Sequence, residues 1–419
     1  MIPLNFIFLV LISCVVGFDL VGVMAWGEET RSIPYSLSEI LALAVERSPI
    51  LADAQGAMKE GRGQQIAAGA YPNPVLEGGA GKGSIRDPST GVSIIEHTVT
   101  VGQPIEWMGK RQARQEAANA GVAGASAGLE LANLNLMSDV KVAFYQLLLA
   151  QRDVELSAQN VATVEEVLRT AKLRVAAGEA TSFDTMKAGV ELQKAQKEAA
   201  RARNGLVVAK SRLNTLTAGG LGKQFSIVGS FLSLRQELNV DQLVSEAVER
   251  HPAVRRLSKL AEQAEHTVEF EKESRIPNVI VMGQYHREAG DESITAGLTV
   301  PIPVWYRRQG EIEAALGAKH RALAQRERAQ NELEQAIIQH TQDVRTAQDQ
   351  LQVFETGLLK QAEQILTIAR TSFRQGAASL LDLLDAQRVY RQTLFEYAQV
   401  SADLSIALVR LERDIGAPL

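Results

Sequence analysis

The chain has one cysteine in 419 residues, only 5% aromatics and a formal net charge of −5. A lone cysteine, Cys14, excludes an internal disulfide and a thiolate metal site. A mildly acidic chain offers no basic surface of the kind that holds nucleic acid. Proline is absent from residues 105–251 and from residues 304–417, so nothing in either stretch forces a helix to stop. Beyond the N-terminus no window of about 20 residues is continuously apolar, which excludes a second membrane-spanning helix. If the mature chain crosses a membrane, it must do so with strands.

Residues 1–25 read as a signal peptide and are set aside from the fold. Ile2 to Phe18 carries no charge, and small residues follow at Gly22 and Ala25, so cleavage is expected after Ala25. The first residues lack Lys and Arg and Asp19 interrupts the apolar run, which leaves an uncleaved anchor helix as the alternative. Leu11-Ile12-Ser13-Cys14 loosely fits a lipoprotein cleavage box, which would make Cys14 an acylation site; the apolar stretch running past Cys14 weighs against it.

What is present is an internal repeat. Ala44-Val45-Glu46-Arg47-Ser48-Pro49 returns as Ala247-Val248-Glu249-Arg250-His251-Pro252, about 200 residues later. Pro72-Asn73 returns as Pro277-Asn278, Pro104-Ile105 as Pro301-Ile302, and Lys110-Arg111-Gln112 as Arg307-Arg308-Gln309. Gly178-x-x-Thr181-x-Phe183-Asp184 returns as Gly376-x-x-Ser379-x-Leu381-Asp382. The matches keep their order, so the chain is expected to hold two copies of one unit, 26–217 and 239–419, joined by a segment 218–238. Strand-like Phe225-Ser226-Ile227-Val228 in that segment is expected to pack against the outside of the bundle.

Each unit opens with one amphipathic helix, 36–70 and 239–274, ended by its Pro-Asn pair. Two strands follow, about 74–103 and 278–300. In the second copy Val279, Val281, Gly283 and Tyr285 alternate with Ile280, Met282, Gln284 and His286; the return strand sets Ile294, Ala296, Leu298 and Val300 against Thr295, Gly297 and Thr299. Polar hairpin tips are expected at 84–90 and 288–293. A proline then opens a long helix, about 104–177 and 303–375, roughly 105 Å for the first at 1.5 Å per residue. Val140, Leu147, Val154, Val161, Leu168 and Val175 fall seven apart, as do Ile337, Val344, Leu351, Leu358 and Ile365. That step predicts coiled-coil seams, and the small residues Ala143, Ala150, Ser157 and Ala171 three positions on permit close approach. A glycine turn, at Gly178 and Gly376, reverses each chain into a final helix, 181–216 and 379–415, opened by the capping-box patterns Thr181-x-x-Asp184 and Ser379-x-x-Asp382.

Four strands leave open edges that lipid does not tolerate, and helices this long cannot bury their apolar faces in one thin protomer. The expected fold is therefore mainly α with a small β part, completed by other copies: a helical barrel continued by a shared transmembrane β-barrel.

This grammar resembles the outer membrane efflux protein family, the TolC-like channels, over essentially the whole mature chain. The most specific stretch is Gly376-Ala-Ala-Ser-Leu-Leu-Asp-Leu-Leu-Asp-Ala-Gln387; Gln103-Pro-Ile-Glu-Trp-Met-Gly-Lys-Arg111 is similar to the heavy-metal efflux branch. The resemblance implies a homotrimer with a twelve-stranded barrel in the outer-membrane lipid of a Gram-negative bacterium and a helical tunnel through the periplasm. It also implies a periplasmic adaptor protein and an inner-membrane pump of RND or ABC type as partners, in efflux or type I secretion. It places the periplasmic aperture at Asp382, Asp385 and Asp184, and adaptor docking at the turns of Gly178, Thr181, Gly376 and Ser379. Where the family ties its closed aperture with a Tyr and an Arg, this chain has Phe373 and Ala378.

The residues alone allow simpler readings. Asp184 and Asp382 fit helix caps as well as an aperture, whereas no box requires Asp385; three chains would gather six carboxylates on one axis, raising their pKa values and attracting cations. The two glycines satisfy turn chemistry unaided. Trp107, Trp305 and Tyr306 suit a membrane-interface belt, or ordinary packing. His97, His251, His266, His286, His320 and His340 show no close metal-ligand spacing, and no nucleophile sits beside a base, so no enzyme, cofactor or metal site is expected. The rivals are a periplasmic adaptor, which has a single helical hairpin rather than a duplicated unit, and a coiled-coil scaffold, which predicts no amphipathic strands.

Overall fold

The computed structural model describes residues 34–234 and 238–419. The expected signal peptide and Cys14 lie outside the described residues. The order is β1 (Pro34–Tyr35), α1 (Leu37–Arg47), α2 (Pro49–Gly69), β2 (Val75–Arg86), β3 (Ser93–Ile105), α3 (Met108–Ala176), α4 (Ser182–Leu216), β4 (Ser226–Ile227), α5 (Val240–Arg250) and α6 (Pro252–Glu273). Then come β5 (Val279–Glu288), β6 (Asp291–Thr299), α7 (Gln309–Val353), a wide π turn (Phe354–Leu358), α8 (Leu359–Arg374) and α9 (Leu380–Ile415).

Each opening helix is two helices rather than one. Pro49 and Pro252 occupy the first turn of α2 and α6, and the residues before them, Ser48 and His251, are extended with ψ of 122° and 130°. Proline excludes the helical conformation from the residue it follows, so each expected continuous helix breaks there. The first long helix starts at Met108, not Pro104. Pro104 instead lies in β3 opposite Ile280, beyond Gly102 where pairing with β2 ends, so its missing N–H leaves no gap in the β2 ladder. The second long helix starts at Gln309.

The heptad reading holds for the upper part of each helix and drifts below it. Val140, Leu147, Ile337 and Val344 are fully buried. In α3 the buried seam then passes to Ser157, Asn160, Val164, Val167 and Ala171, while Val154, Val161 and Leu168 are half-buried. In α7 and α8 the buried column runs Ile337, Val344, Phe354, Ala362, Leu366 and Phe373, whereas Leu358 and Ile365 are exposed. The π turn inserts an extra residue, so the phase steps by one across it.

The four long strands form one antiparallel sheet in the order β2-β3-β5-β6, so the β3–β5 pair joins the two copies. The second hairpin tip is tighter than expected: Ala289 and Gly290, with φ of 55° and 92°, make a two-residue turn between Glu288 and Asp291. α3 packs along α4, α6 and α9, and α7 along α6 and α9. Buried clusters lie around Phe144, Tyr145 and Leu213, around Ile337, Leu404 and Leu411, and at the glycine-turn end around Leu366, Phe373 and Leu383. The linker does more than cover the outside. β4 pairs in parallel with β1, Phe225 and Ile227 enter the first cluster, and the Leu232 amide donates to Ser405 Oγ at 2.9 Å.

Candidate functional site

The sheet has two chemically different faces, and its register assigns them. Leu76, Ala80, Val99, Val101, Val281, Tyr285, Ile294 and Leu298 share one face by register, with Leu76 opposite Val101, Val99 opposite Tyr285, Tyr285 opposite Ile294 and Val281 opposite Leu298; toward the hairpin tips the same face carries His97, Arg287 and Glu292. Glu77, Thr98, Thr100, Gln284, His286, Ser293, Thr295 and Thr299 share the other. Apolar side chains on the first face are largely solvent-accessible in the single chain, including Leu76, Ile294 and Leu298 at 70% or more. β2 and β6 each pair on one side only. Among the described residues no helix is long and apolar enough to cross a membrane.

Below the sheet, basic residues tie strands to helices. Arg111 Nη2 donates to the Gly69 carbonyl at 2.7 Å, and Arg114 Nε to that of Ala68 at 3.0 Å, so two guanidinium groups satisfy the free carbonyls ending α2. Arg114 also forms a two-pronged pair with Glu106, at 2.5 and 2.9 Å. Lys110 is buried and donates to Asn278 Oδ1 at 2.7 Å and to the Ile276 carbonyl at 3.1 Å; burial pushes its ammonium below the usual lysine range. In the second copy Arg308, in the left-handed conformation, pairs with Glu271 at 2.5 Å. The aromatic residues sit at the same level: Trp107 caps α3 and donates from Nε1 to Glu273 at 3.0 Å, Trp305 is 93% exposed, and the Tyr306 hydroxyl donates to Glu311 at 2.6 Å.

At the opposite end both predicted capping boxes form. The Thr181 amide and hydroxyl reach Asp184 Oδ2 at 3.1 and 3.0 Å; those of Ser379 reach Asp382 Oδ2 at 2.9 and 2.7 Å. The hydrogen bonds from the Ser379 hydroxyl and amide hold the Asp382 carboxyl below its ordinary value, so within one chain its shift runs opposite to that expected from crowding. Asp385 pairs with Arg388 one turn along α9. Gly178 and Gly376 have φ of +77° and +76°, the left-handed turn that favours glycine.

The two turns meet. Phe373 is buried, and the Arg174 guanidinium from the first copy lies over its ring, 4.9 Å from the centroid. Arg174 also reaches the Phe373 carbonyl at 3.4 Å and Glu179 at 3.6 Å. Farther up, Arg391 pairs with Glu198 at 2.7 Å, while the buried Gln387 amide has no hydrogen-bond partner among the described residues. Arg174 was invisible as a partner of Phe373 because some 200 residues separate them.

Near the middle, Asp414 is buried and accepts from His340 Nδ1 at 2.5 Å and from Arg413 at 2.7 and 2.8 Å. Burial alone would raise its carboxyl, but the His340 and Arg413 hydrogen bonds outweigh it and hold the group below its ordinary range.

Comparisons with known proteins agree with this architecture. The outer membrane efflux protein family matches residues 40–219 and 243–417. The cobalt-zinc-cadmium resistance protein CzcC of Cupriavidus metallidurans is 28% identical over 392 residues, covering 91% of this chain and 90% of that protein. Among solved structures, the outer membrane protein VceC of Vibrio cholerae superposes with a TM-score of 0.78 at 19% identity, over 91% of this chain and 96% of that one. The Campylobacter jejuni CmeC outer membrane channel gives a TM-score of 0.78 at 17% identity, over 97% and 93%. With both halves matched, the chain belongs to the outer membrane efflux protein family, whose members are transport conduits and not enzymes.

Proposed function

We propose that three copies of this chain close their sheets into a twelve-stranded barrel in a Gram-negative outer membrane and align their helices as a tunnel through the periplasm. The observation that carries this reading is the four-stranded sheet with two unpaired edges, one apolar face and one polar face. In a closed barrel the apolar face meets lipid and the polar face lines water, and closure pairs every edge. The helices ask for the same neighbours: Val190, Val207 and Val208 on α4 are at least half exposed in a single chain.

The conduit is passive, and the energy comes from an inner-membrane pump joined through a periplasmic adaptor at the turns of Gly178, Thr181, Gly376 and Ser379. Asp385 is the aperture charge, held in check by Arg388, whereas Asp184 and Asp382 are committed to helix starts and contribute their charge from there. Trp107, Trp305 and Tyr306 mark the periplasmic membrane level. The name of the Cupriavidus relative points to divalent metal ions as cargo.

Deleting the gene and challenging the strain with cobalt, zinc, cadmium, dyes and antibiotics tests this reading. Increased sensitivity confined to the metals supports it. A protein recovered as a monomer from the soluble periplasmic fraction would overturn the channel.

A further inference from the structure

We propose that Glu96, His286 and Glu288 form a binding site for a divalent transition-metal ion, one per chain. Its place on the lumen wall, just inside the outer hairpin tips, rests on the barrel reading above; the site itself rests on side-chain geometry within one chain.

The sheet register brings the three together. Thr98 lies opposite His286 and His97 opposite Arg287, so one further step sets Glu96 opposite Glu288 on the polar face. One ligand atom from each of the three falls within 4.8 Å of the other two. Two carboxylates directly opposed on neighbouring strands repel. A bound cation turns that repulsion into shared attraction.

The surrounding groups orient the ligands as a metal site requires. Thr98 Oγ1 lies 3.2 Å from His286 Nδ1, which engages that nitrogen and leaves Nε2 as the ligand atom. Nε2 is 3.8 Å from Glu288 Oε2. Ligand atoms about 2.1 Å from a common ion lie roughly 3–4 Å apart, so the His286–Glu288 pair already stands at that spacing and a small side-chain rotation of Glu96 closes the set. The other Glu288 oxygen, Oε1, accepts from the Ile85 amide at 2.8 Å and the Ser84 hydroxyl at 3.3 Å, which fixes the carboxylate. Gly83 makes room for this reach across β3: a Cβ there would lie 2.1 Å from Glu288 Oε1. Among the described residues Glu96 makes no hydrogen bond or ion pair, so its carboxylate is free to bind.

One imidazole and two carboxylates, with no sulfur ligand, suit zinc, cobalt or nickel rather than copper(I). Three protein ligands leave positions open to water, so an ion can bind and leave again, as conduction demands. The cluster of Glu116, His266 and Glu269 on α3 and α6 differs: both carboxylates converge on one nitrogen, His266 Nδ1, at 3.4 and 2.9 Å, which is an ion-pair arrangement.

The test titrates the purified, detergent-solubilised protein with zinc chloride by calorimetry, and with cobalt chloride by visible absorption. Expected is one ion per chain, with affinity falling at least ~10-fold in His286→Asn and in Glu96→Gln, the loss typical even of outer-shell partners. His266→Asn should bind as the unaltered chain does. Circular dichroism and oligomer size of each variant separate lost binding from lost folding. Equal affinity in the unaltered chain and in both site variants, or loss with His266→Asn alone, overturns the site. Planar-bilayer recording keeps the two readings apart. Zinc bound without any conductance would mean that the channel reading fails, and conducting pores that bind no zinc would mean that the site does.

Discussion

The contact between Arg174 and Phe373 ties the two glycine turns together, and its strength can be worked out. Truncating Phe373 to Ala would cost about 3–5 kcal/mol and would melt the turn region rather than probe the contact. Phe373→Leu keeps most of the apolar volume, and Arg174→Met keeps the stem without the charge. The guanidinium lies 4.9 Å from the ring and its side chain is 24% exposed, between the exposed and desolvated limits for a cation over an aromatic ring. The pairwise term is therefore about 1 kcal/mol, roughly fivefold in the population of an opened turn. The hydrogen bond to the Phe373 carbonyl survives Phe373→Leu, so a double-mutant cycle isolates the ring. Amide exchange of residues 174–180 and 373–379 should show this coupling, and both single variants should dwell longer in high-conductance states. Single-variant effects that add to within about 0.3 kcal/mol would refute the coupling.

Ile294→Arg on the apolar face should cost about 2–4 kcal/mol and abolish membrane assembly, whereas Thr295→Arg on the polar face should assemble and lower cation conductance; heat-sensitive oligomer bands and bilayer recordings distinguish them. Arg388→Ala unpairs Asp385 and should strengthen block by divalent cations, while Asp385→Ala should weaken it; unchanged block in both would return the pair to a surface role. Asp414→Asn should destabilise the chain by about 3 kcal/mol, the low end for a broken buried pair, since Arg413 remains a third exposed. Because the folded Asp414 pKa is lowered, that stability is complete above about pH 4 and is lost as the pH falls through the lowered value. Thermal unfolding of the two proteins should therefore converge in strong acid.

Local signals carried most of the fold. The alternation at Val279 and Ile280 gave the sheet faces, and Ser379-x-x-Asp382 gave a helix start to the residue, because both depend on neighbours a few positions apart. The splits before Pro49 and Pro252 were also local, but a continuing apolar pattern masked them. The phase of the lower helix was not legible: a single inserted residue at the π turn shifted the buried column by one position, from Ile365 to Leu366, and left Leu358 exposed. The site contacts were hidden for another reason. Arg174 with Phe373, Lys110 with Asn278, and Glu96 with His286 and Glu288 each join the two copies. Sequence spacing says nothing about which residues of one copy face those of the other.

The unpaired outer strands also bear on the cell's own safety. A chain that carries only part of a wall cannot leak on its own, because the unpaired backbone groups of its bare edges hold it out of the lipid until partners arrive. Under the proposed closure, pore formation rises with the third power of chain concentration. At low expression the membrane stays sealed, and holes appear only above a threshold. The glycine-rich edge of β2, at Gly78, Gly79 and Gly81, offers few side chains to a partner strand, so a two-chain contact alone gains little and the ring is favoured once all three are present.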